Sequence, residues 1–375
     1  MHLYLHVPFC ARRCTYCDFA IAVRREVPSR EYADLVLEEW NRWQDHPAWS
    51  AGPEIETIYL GGGTPSLLDP DQLGRVLDAI RATRPVTVGA EVTLEANPEN
   101  VTAANAARWS ALGVNRISLG GQSFDAAVLK WMHRTHDAEA VPRAVAVLGD
   151  AGLTNVSLDL IFALPEHLER DWARDLEFAL ALGSTHLSLY GLTVESHTPL
   201  ARWVARGEEA EPPDETWARE FLLAHATLES AGFEHYEVSN FGRPGFRSQH
   251  NSAYWRRRPY LGLGPSAHSG FGPVRQWNQR EYTAWARALQ SGDDPVAGRE
   301  SLDDSAVALE TLYLGLRTRE GVPRALVPEP TVGRWVREGW AVDDGERLAL
   351  TPEGWLRLDA LVGAVSARDP SLRSG

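Results

Sequence analysis

The three cysteines of the chain lie within eight residues, at Cys10, Cys14 and Cys17, directly after a predicted strand. Their number is odd and cytoplasmic thiols stay reduced, so a disulfide framework is not expected. A structural zinc site needs four protein ligands, and His6 could supply the fourth. A [4Fe–4S] cluster on three thiolates would instead leave one iron open to another ligand. The spacing alone leaves both metal sites open.

Further residues that could contact a ligand or take part in a reaction follow other predicted strands. The segment Gly61-Gly62-Gly63-Thr64-Pro65 lacks side chains where a ligand could approach the backbone, although a tight turn or a phosphate loop would also use glycines. Neither a dinucleotide-binding glycine signature nor a Walker A sequence is present. Asp159 interrupts an apolar run, and a buried carboxylate without a partner is costly. We therefore expect Asp159 to face a cavity, a ligand or a hydrogen-bond donor.

These residues must be positioned by alternating strands and helices. β-Branched apolar segments alternate with stretches of helical periodicity, which predicts a parallel sheet with crossover helices. The predicted strands are 3–7, 57–63, 91–98, 115–123, 155–165 and 186–194, and the main predicted helices are 31–43, 71–82, 103–113, 141–152 and 212–233. Six units can form an open doubly wound sheet or an incomplete (β/α) barrel. Polar residues in or after the carboxyl halves of several strands favour the barrel.

The chain divides into three predicted parts. Residues 1–235 carry the partial barrel, 236–299 form a connecting segment, and 300–375 form a smaller α+β domain. In the last part we predict a helix at 332–340, a hairpin turning at Asp344-Gly345 and a helix at 352–365. This order is typical of a winged-helix-like module.

Composition excludes several classes of protein. Among 375 residues, 44% are hydrophobic and 23% are charged, as in soluble globular proteins. The apolar runs are shorter than the roughly 18 residues of a membrane span, and the N-terminal residues lack a secretory pattern, so we expect a cytoplasmic protein. The net charge of −14 disfavours nucleic acid as a partner.

The Cys-x3-Cys-x2-Cys spacing, with Tyr16 before the last cysteine, resembles the signature of the radical S-adenosylmethionine (SAM) superfamily. The resemblance implies a [4Fe–4S] cluster on Cys10, Cys14 and Cys17, with SAM chelating the open iron. It also implies that an electron from the cluster can cleave SAM to methionine and a 5′-deoxyadenosyl radical. The cofactors carry this chemistry, and the protein supplies ligands, orientation and a dry cavity.

A wider set of motifs resembles the oxygen-independent coproporphyrinogen III oxidase family over most of the first 300 residues. The motifs are HVPFC, GGGTP, LEANP, SLGGQSFD, HRTH and DLIFALP. The resemblance implies an α/β fold, an incomplete (β/α)6 TIM-like radical SAM barrel with a smaller C-terminal winged-helix-like domain. By motif position, the implied cofactor-binding residues are Tyr4, Tyr16, Gly62, Gly63, Thr64, Glu95, Gln122, Arg134 and Asp159.

Two features resemble the HemW-type haem-chaperone subgroup of that family. Phe19 stands where true coproporphyrinogen oxidases carry a further cysteine, and HNSAYW at 250–255 matches the subgroup's HNxxYW element. The resemblance implies haem as a cofactor or cargo, with His250 as axial ligand and Tyr254 and Trp255 packed on the porphyrin. Arginines 256–258 could pair with the haem propionates.

We therefore expect a haem chaperone that passes haem to acceptor proteins, which are unidentified and could be membrane-associated. Whether it is a monomer or a homodimer stays open, as does whether it is an enzyme. The alternatives are a radical coproporphyrinogen III oxidase, a radical SAM enzyme with another substrate, and a module held together by zinc.

Overall fold

The computed structural model describes residues 1–44, 46–50 and 52–368. Residues 369–375 of the predicted C-terminal domain lie outside the described residues. The strands are β1 (His2–Val7), β2 (Phe9–Cys10), β3 (Ala22–Val23), β4 (Ile55–Gly62), β5 (Val86–Ala96), β6 (Arg116–Gln122), β7 (Val156–Phe162), β8 (His186–Gly191), β9 (Glu234–Glu237), β10 (Asn240–Gly242), β11 (Tyr260–Leu263), β12 (His268–Phe271), β13 (Val274–Asn278), β14 (Val296–Ser301), β15 (Val322–Pro323), β16 (Ala341–Asp343) and β17 (Arg347–Leu350).

The helices occupy most of the segments between these strands. They are α1 (Ser29–Gln44), α2 (Pro47–Ser50), α3 (Pro70–Thr83), α4 (Ala103–Ala111), α5 (Ala126–Trp131), α6 (Ala140–Asp150), α7 (Trp172–Ala181), α8 (Pro199–Ala205), α9 (Asp214–Ser230), α10 (Gln249–Trp255), α11 (Tyr282–Ser291), α12 (Asp304–Leu316), α13 (Glu329–Arg337), α14 (Pro352–Trp355) and α15 (Leu358–Arg368).

A twelve-stranded sheet has the order β14-β13-β12-β11-β1-β4-β5-β6-β7-β8-β10-β9. The strands from β11 to β8 in this order run parallel, and the strands at both edges are antiparallel. The six predicted strands are present as β1 and β4–β8, so the predicted α/β fold is confirmed. The parallel strand β11 and the antiparallel extension β12–β14 were not predicted, because short strands have little periodicity and β11 pairs with distant β1.

Each central parallel strand alternates apolar and polar residues, whereas parallel strands covered by helices on both faces are usually apolar throughout. The apolar positions, such as Leu3 and Leu5 of β1, are buried beneath the helices. The polar positions are His2, Tyr4 and His6 on β1, Thr57 and Tyr59 on β4, Glu91, Thr93 and Glu95 on β5, Arg116 and Ser118 on β6, Ser157 and Asp159 on β7, and His186, Ser188 and Tyr190 on β8. One face of the sheet is therefore polar and is available to a ligand site.

Buried Glu39 of α1 connects the antiparallel extension to the rest of the sheet. Its carboxylate accepts hydrogen bonds from the Gly264 amide at 2.8 Å, the Asn278 amide group at 2.5 Å and the Trp285 indole at 3.0 Å. Burial raises the pKa of Glu39 to about 7, although these three donors oppose the shift. The extension is thus held to α1 by one carboxylate with three buried partners.

The C-terminal part has the predicted winged-helix-like order of elements. Strands β15, β17 and β16 form a separate antiparallel sheet, and the turn at Asp344-Gly345 lies between β16 and β17. The closing helix predicted at 352–365 is divided into α14 and α15. None of the described helices is long and apolar enough to cross a membrane.

Candidate functional site

A cavity of about 390 Å³ lies at the carboxyl ends of the parallel strands. It brings together residues from a loop after β1 and from the ends of β4 to β8, as expected for strand-end residues of a parallel sheet. Every predicted cluster or SAM residue except Tyr4 lines it: Cys10, Cys14, Tyr16, Cys17, Gly62, Gly63, Thr64, Glu95, Gln122, Arg134 and Asp159.

The cysteine loop presents three free thiols to this cavity. Burial raises the pKa of the Cys10 thiol to about 11, although the Thr64 hydroxyl donates to its sulfur at 3.5 Å. Arg134 donates to the Cys14 sulfur, also at 3.5 Å. Because iron ligands must be deprotonated, metal binding here would release protons.

The described residues contain no group of three His, Cys, Asp or Glu side chains placed to hold a single metal ion. His6, the candidate fourth zinc ligand, has both ring nitrogens near other groups. Its Nε2 lies 2.9 Å from the Ala20 carbonyl and its Nδ1 lies 3.2 Å from the Tyr4 hydroxyl. Thiolates of a [4Fe–4S] cluster bind different irons and need not converge on one point. The donor set therefore fits a cluster better than mononuclear zinc.

The glycine segment at the end of β4 forms a close backbone wall beside the cysteine loop. Gly62 has a φ of 115°, a conformation that side chains disfavour. A Cβ on Gly63 would lie 2.8 Å from the backbone of Pro8 and Phe9. The segment thus lets two backbones pack against each other next to Cys10, while its edge remains open to the cavity.

Glu95 of β5 is a buried carboxylate aimed at this wall. Its Oε2 accepts from the Gly62 amide at 2.9 Å, and its Oε1 accepts from the Tyr59 hydroxyl at 2.8 Å. Burial raises the pKa of Glu95 to about 7. A cationic group in the cavity would favour its ionised form and would pair with it.

Asp159 of β7 has the partners that its place in an apolar run requires. The Ser118 hydroxyl lies 2.9 and 3.0 Å from its two oxygens, and the Ser157 hydroxyl donates to it at 3.2 Å. Burial nevertheless raises its pKa to about 6. Asp159 therefore faces both donors and the cavity, in agreement with the sequence-based expectation.

Hydrogen bonds hold the Arg134 guanidinium in place, and its Nε remains an unused donor atom. Its Nη2 donates to Asn97 Oδ1 at 2.7 Å and to the Gly120 carbonyl at 2.9 Å. Its Nε is buried without a hydrogen-bond partner among the described residues. A guanidinium with a free donor beside the cysteines fits a ligand carboxylate. Together with Glu95, it matches the opposite charges of an amino acid group such as the methionine part of SAM.

The remaining predicted residues do not line this cavity. Tyr4, Tyr254 and Trp255 line a second cavity, of about 520 Å³. His250 is only 1% exposed. Its Nδ1 lies 2.6 Å from the Thr57 hydroxyl and its Nε2 lies 2.7 Å from the Tyr254 hydroxyl. Haem ligation by His250 stays a prediction, and it would require the coordinating ring nitrogen to give up its present partner.

Sequence reasoning missed several residues that shape the site. Asn97 orients Arg134, Tyr59 holds Glu95, and Tyr190 lines the cavity from the end of β8. The alternation of polar and apolar residues along the strands could have indicated two of them, because Tyr59 and Tyr190 occupy polar positions of β4 and β8. Asn97 directly follows β5. Applying the strand period to each segment would have identified them.

Comparison with known proteins gives concordant matches. Residues 4–179 match the family model described as the Radical SAM superfamily. The protein named heme chaperone HemW from Mycobacterium tuberculosis is 38% identical over 96% of this chain and 93% of its own length. HemW of Escherichia coli is also 38% identical, over 96% of this chain and 97% of its own.

A solved structure has the same fold over nearly the whole chain. Coproporphyrinogen III oxidase (HemN) from Escherichia coli, described as a radical SAM enzyme, superposes with a TM-score of 0.79. The match covers 97% of this chain and 89% of that protein at 20% identity. At this identity the likeness concerns the fold alone.

Proposed function

The chain belongs to the radical SAM superfamily and, within it, to the HemW family, and we propose that it is a haem chaperone that binds haem and transfers it to acceptor proteins. The proposal includes a [4Fe–4S] cluster on Cys10, Cys14 and Cys17 and SAM in the adjoining cavity. Location in the cytoplasm stays a prediction, and the acceptors are unidentified.

The observation that carries the proposal is Phe19. The true oxidases carry a cysteine at this position, and a chain with phenylalanine there resembles the haem chaperones. Phe19 is 66% exposed and lines both the cysteine cavity and the second cavity. Its position between the two cavities supports a role in contacting a ligand held in either of them.

The residues around the first cavity would each hold one part of the cofactors. A [4Fe–4S] cluster with SAM supplies one-electron chemistry when both are bound. Glu95, with its carboxylate fixed by Gly62 and Tyr59, would accept from the SAM amino group. The free Nε of Arg134 would donate to the SAM carboxylate. Asp159 would accept from a ribose hydroxyl or the amino group.

Anaerobic reconstitution with iron and sulfide, followed by haem titration and a coproporphyrinogen III turnover assay on the same sample, tests the proposal. We expect stoichiometric haem binding, SAM binding and no porphyrin product. Formation of protoporphyrinogen would make the protein a radical oxidase and overturn the proposal. Zinc without iron in anaerobically purified protein would overturn the cluster assignment.

A further inference from the structure

The polar face of the sheet extends onto the antiparallel strands β12–β14, and the second cavity lies on this face. In the strand register, Tyr260 of β11 is opposite Gly270 of β12, and Gly270 is opposite Arg275 of β13. His268 is opposite Trp277. Directly opposite residues in an antiparallel pair share a face. This face therefore carries an imidazole, aromatic rings and a guanidinium toward a cavity of about 520 Å³, which is within the usual size of ligand pockets.

His268 is the histidine of this cavity that is available to a ligand. Its side chain is exposed, and no hydrogen bond to either ring nitrogen occurs within the described parts of the chain. Its ring stacks on Trp277 with centroids 5.9 Å apart, which limits its orientation. Partial desolvation by its neighbours lowers the pKa of His268, and a neutral imidazole is the form that coordinates a metal. His250 and His6, by contrast, have both ring nitrogens near protein partners.

The charge of the cavity suits a dianion, although the whole chain carries −14. Four arginines and two acids line it, for a formal charge of +2, and they are Arg257, Arg258, Arg275, Arg280, Asp18 and Glu310. Glu310 forms ion pairs with both Arg257 and Arg275, and these three side chains keep one net positive charge. Arg258 and Arg280 have exposed side chains, at 55% and 63%, and their ion pairs are long, at 3.5 Å to Glu56 and 3.6 Å to Asp18. Arg280 also donates to the Asp18 carbonyl at 2.7 Å, a hydrogen bond that a bound anion would replace. These two guanidinium groups can turn toward a bound anion.

The same cavity offers apolar contact for a flat ring. Tyr254 and Tyr260 pack edge to face with centroids 4.7 Å apart, and Phe19 and Trp255 also line the cavity. Aromatic side chains of this kind pack well on a conjugated macrocycle. Phe19 and Asp18 line the cysteine cavity as well, so a ligand here would lie next to the cluster loop.

We propose that this second cavity is the haem site, with His268 as the axial iron ligand and Arg258 and Arg280 as partners of the two propionates. The inference rests on the proposed haem-binding function and replaces only its expected ligand, His250. In this arrangement, buried His250 supports the cavity wall by holding Tyr254, while His268 contacts the iron.

Titration of the reconstituted full-length protein with ferric haem tests the assignment, followed by Soret absorption and the electron paramagnetic resonance of ferric haem. We expect His268→Ala to weaken haem binding by at least about tenfold, because even loss of an outer-sphere partner costs about 10- to 100-fold in metal affinity. The histidine-ligated signal should disappear and should return when imidazole is added. His167→Ala is the matched control, since His167 is an exposed histidine outside the cavity.

A second measurement separates the propionate contacts from folding. The double variant Arg258→Ala/Arg280→Ala should bind haem more weakly than wild type but bind haem dimethyl ester equally well. Unchanged haem affinity and spectrum in His268→Ala would overturn the His268 assignment while leaving the chaperone function standing. If the wild-type protein binds no haem, the proposed function and this inference both fail.

Discussion

The glycine wall beside the cysteine loop leads to a quantitative prediction for Gly63→Ala. The added Cβ would lie 2.8 Å from the backbone of Pro8 and Phe9, whereas ordinary contacts begin at 3.4 Å. Neither neighbour can turn away, because both contacts are backbone atoms. The segment that leads to Cys10 must therefore move by about 0.6 Å, the difference between these distances. That displacement exceeds the tolerance of roughly 0.5 Å for a functional constellation.

We expect two measurable results from this shift. Overpacking of this kind costs about 1–3 kcal/mol, so the urea midpoint of unfolding should fall. Iron and sulfide bound after anaerobic reconstitution should also fall, because Cys10 no longer sits where the other two thiolates require it. Iron content can be measured colorimetrically and by the absorbance of the cluster.

Gly149→Ala is the matched control for this prediction. Gly149 lies in α6, and a Cβ there would meet nothing within 4 Å. Alanine should raise the free energy of unfolding by up to about 1 kcal/mol and leave iron content unchanged. If Gly63→Ala matched wild type in both stability and iron content, the argument that the glycine wall sets the position of Cys10 would be refuted.

Three further predictions concern other parts of the molecule. The pKa of Glu39, about 7 in the fold, lies above its ordinary value of 4.5, so it contributes about 3 kcal/mol of stability below pH 4.5 that is lost as the pH rises through 7. Urea unfolding between about pH 5 and pH 8 should show this slope, and an equal slope in Glu39→Gln would contradict it. Arg134→Lys should weaken SAM binding by roughly 10- to 100-fold in calorimetry, because lysine lacks the guanidinium fork, and exposed Arg143→Lys should not. Phe19→Ala should change stability by less than about 0.5 kcal/mol but weaken haem binding roughly threefold to tenfold; equal haem affinity would remove Phe19 from the haem contact.

The sequence by itself determined the features that depend on local spacing. Three cysteines in one loop, six strands with intervening helices, and the strand-end carboxylates Glu95 and Asp159 were all readable, because strand and helix periods repeat within a few residues. The family resemblance carried by these motifs is confirmed by the HemW relatives. The alternation of polar and apolar residues along each strand also placed Tyr59 and Tyr190 on the polar face of the sheet.

The tertiary structure decided what depends on pairing between distant segments. The family resemblance implied His250 as a haem ligand but said nothing of its burial, and β4 and α10 place His250 between Thr57 and Tyr254. Strand β11 is distant from β1 in sequence but pairs with it, since His2 is opposite Tyr260, and the extension that β11 begins brings His268 to the cavity beside Phe19. Burial and accessibility are properties of the packed chain, because a side chain's neighbours come from segments that no local period connects.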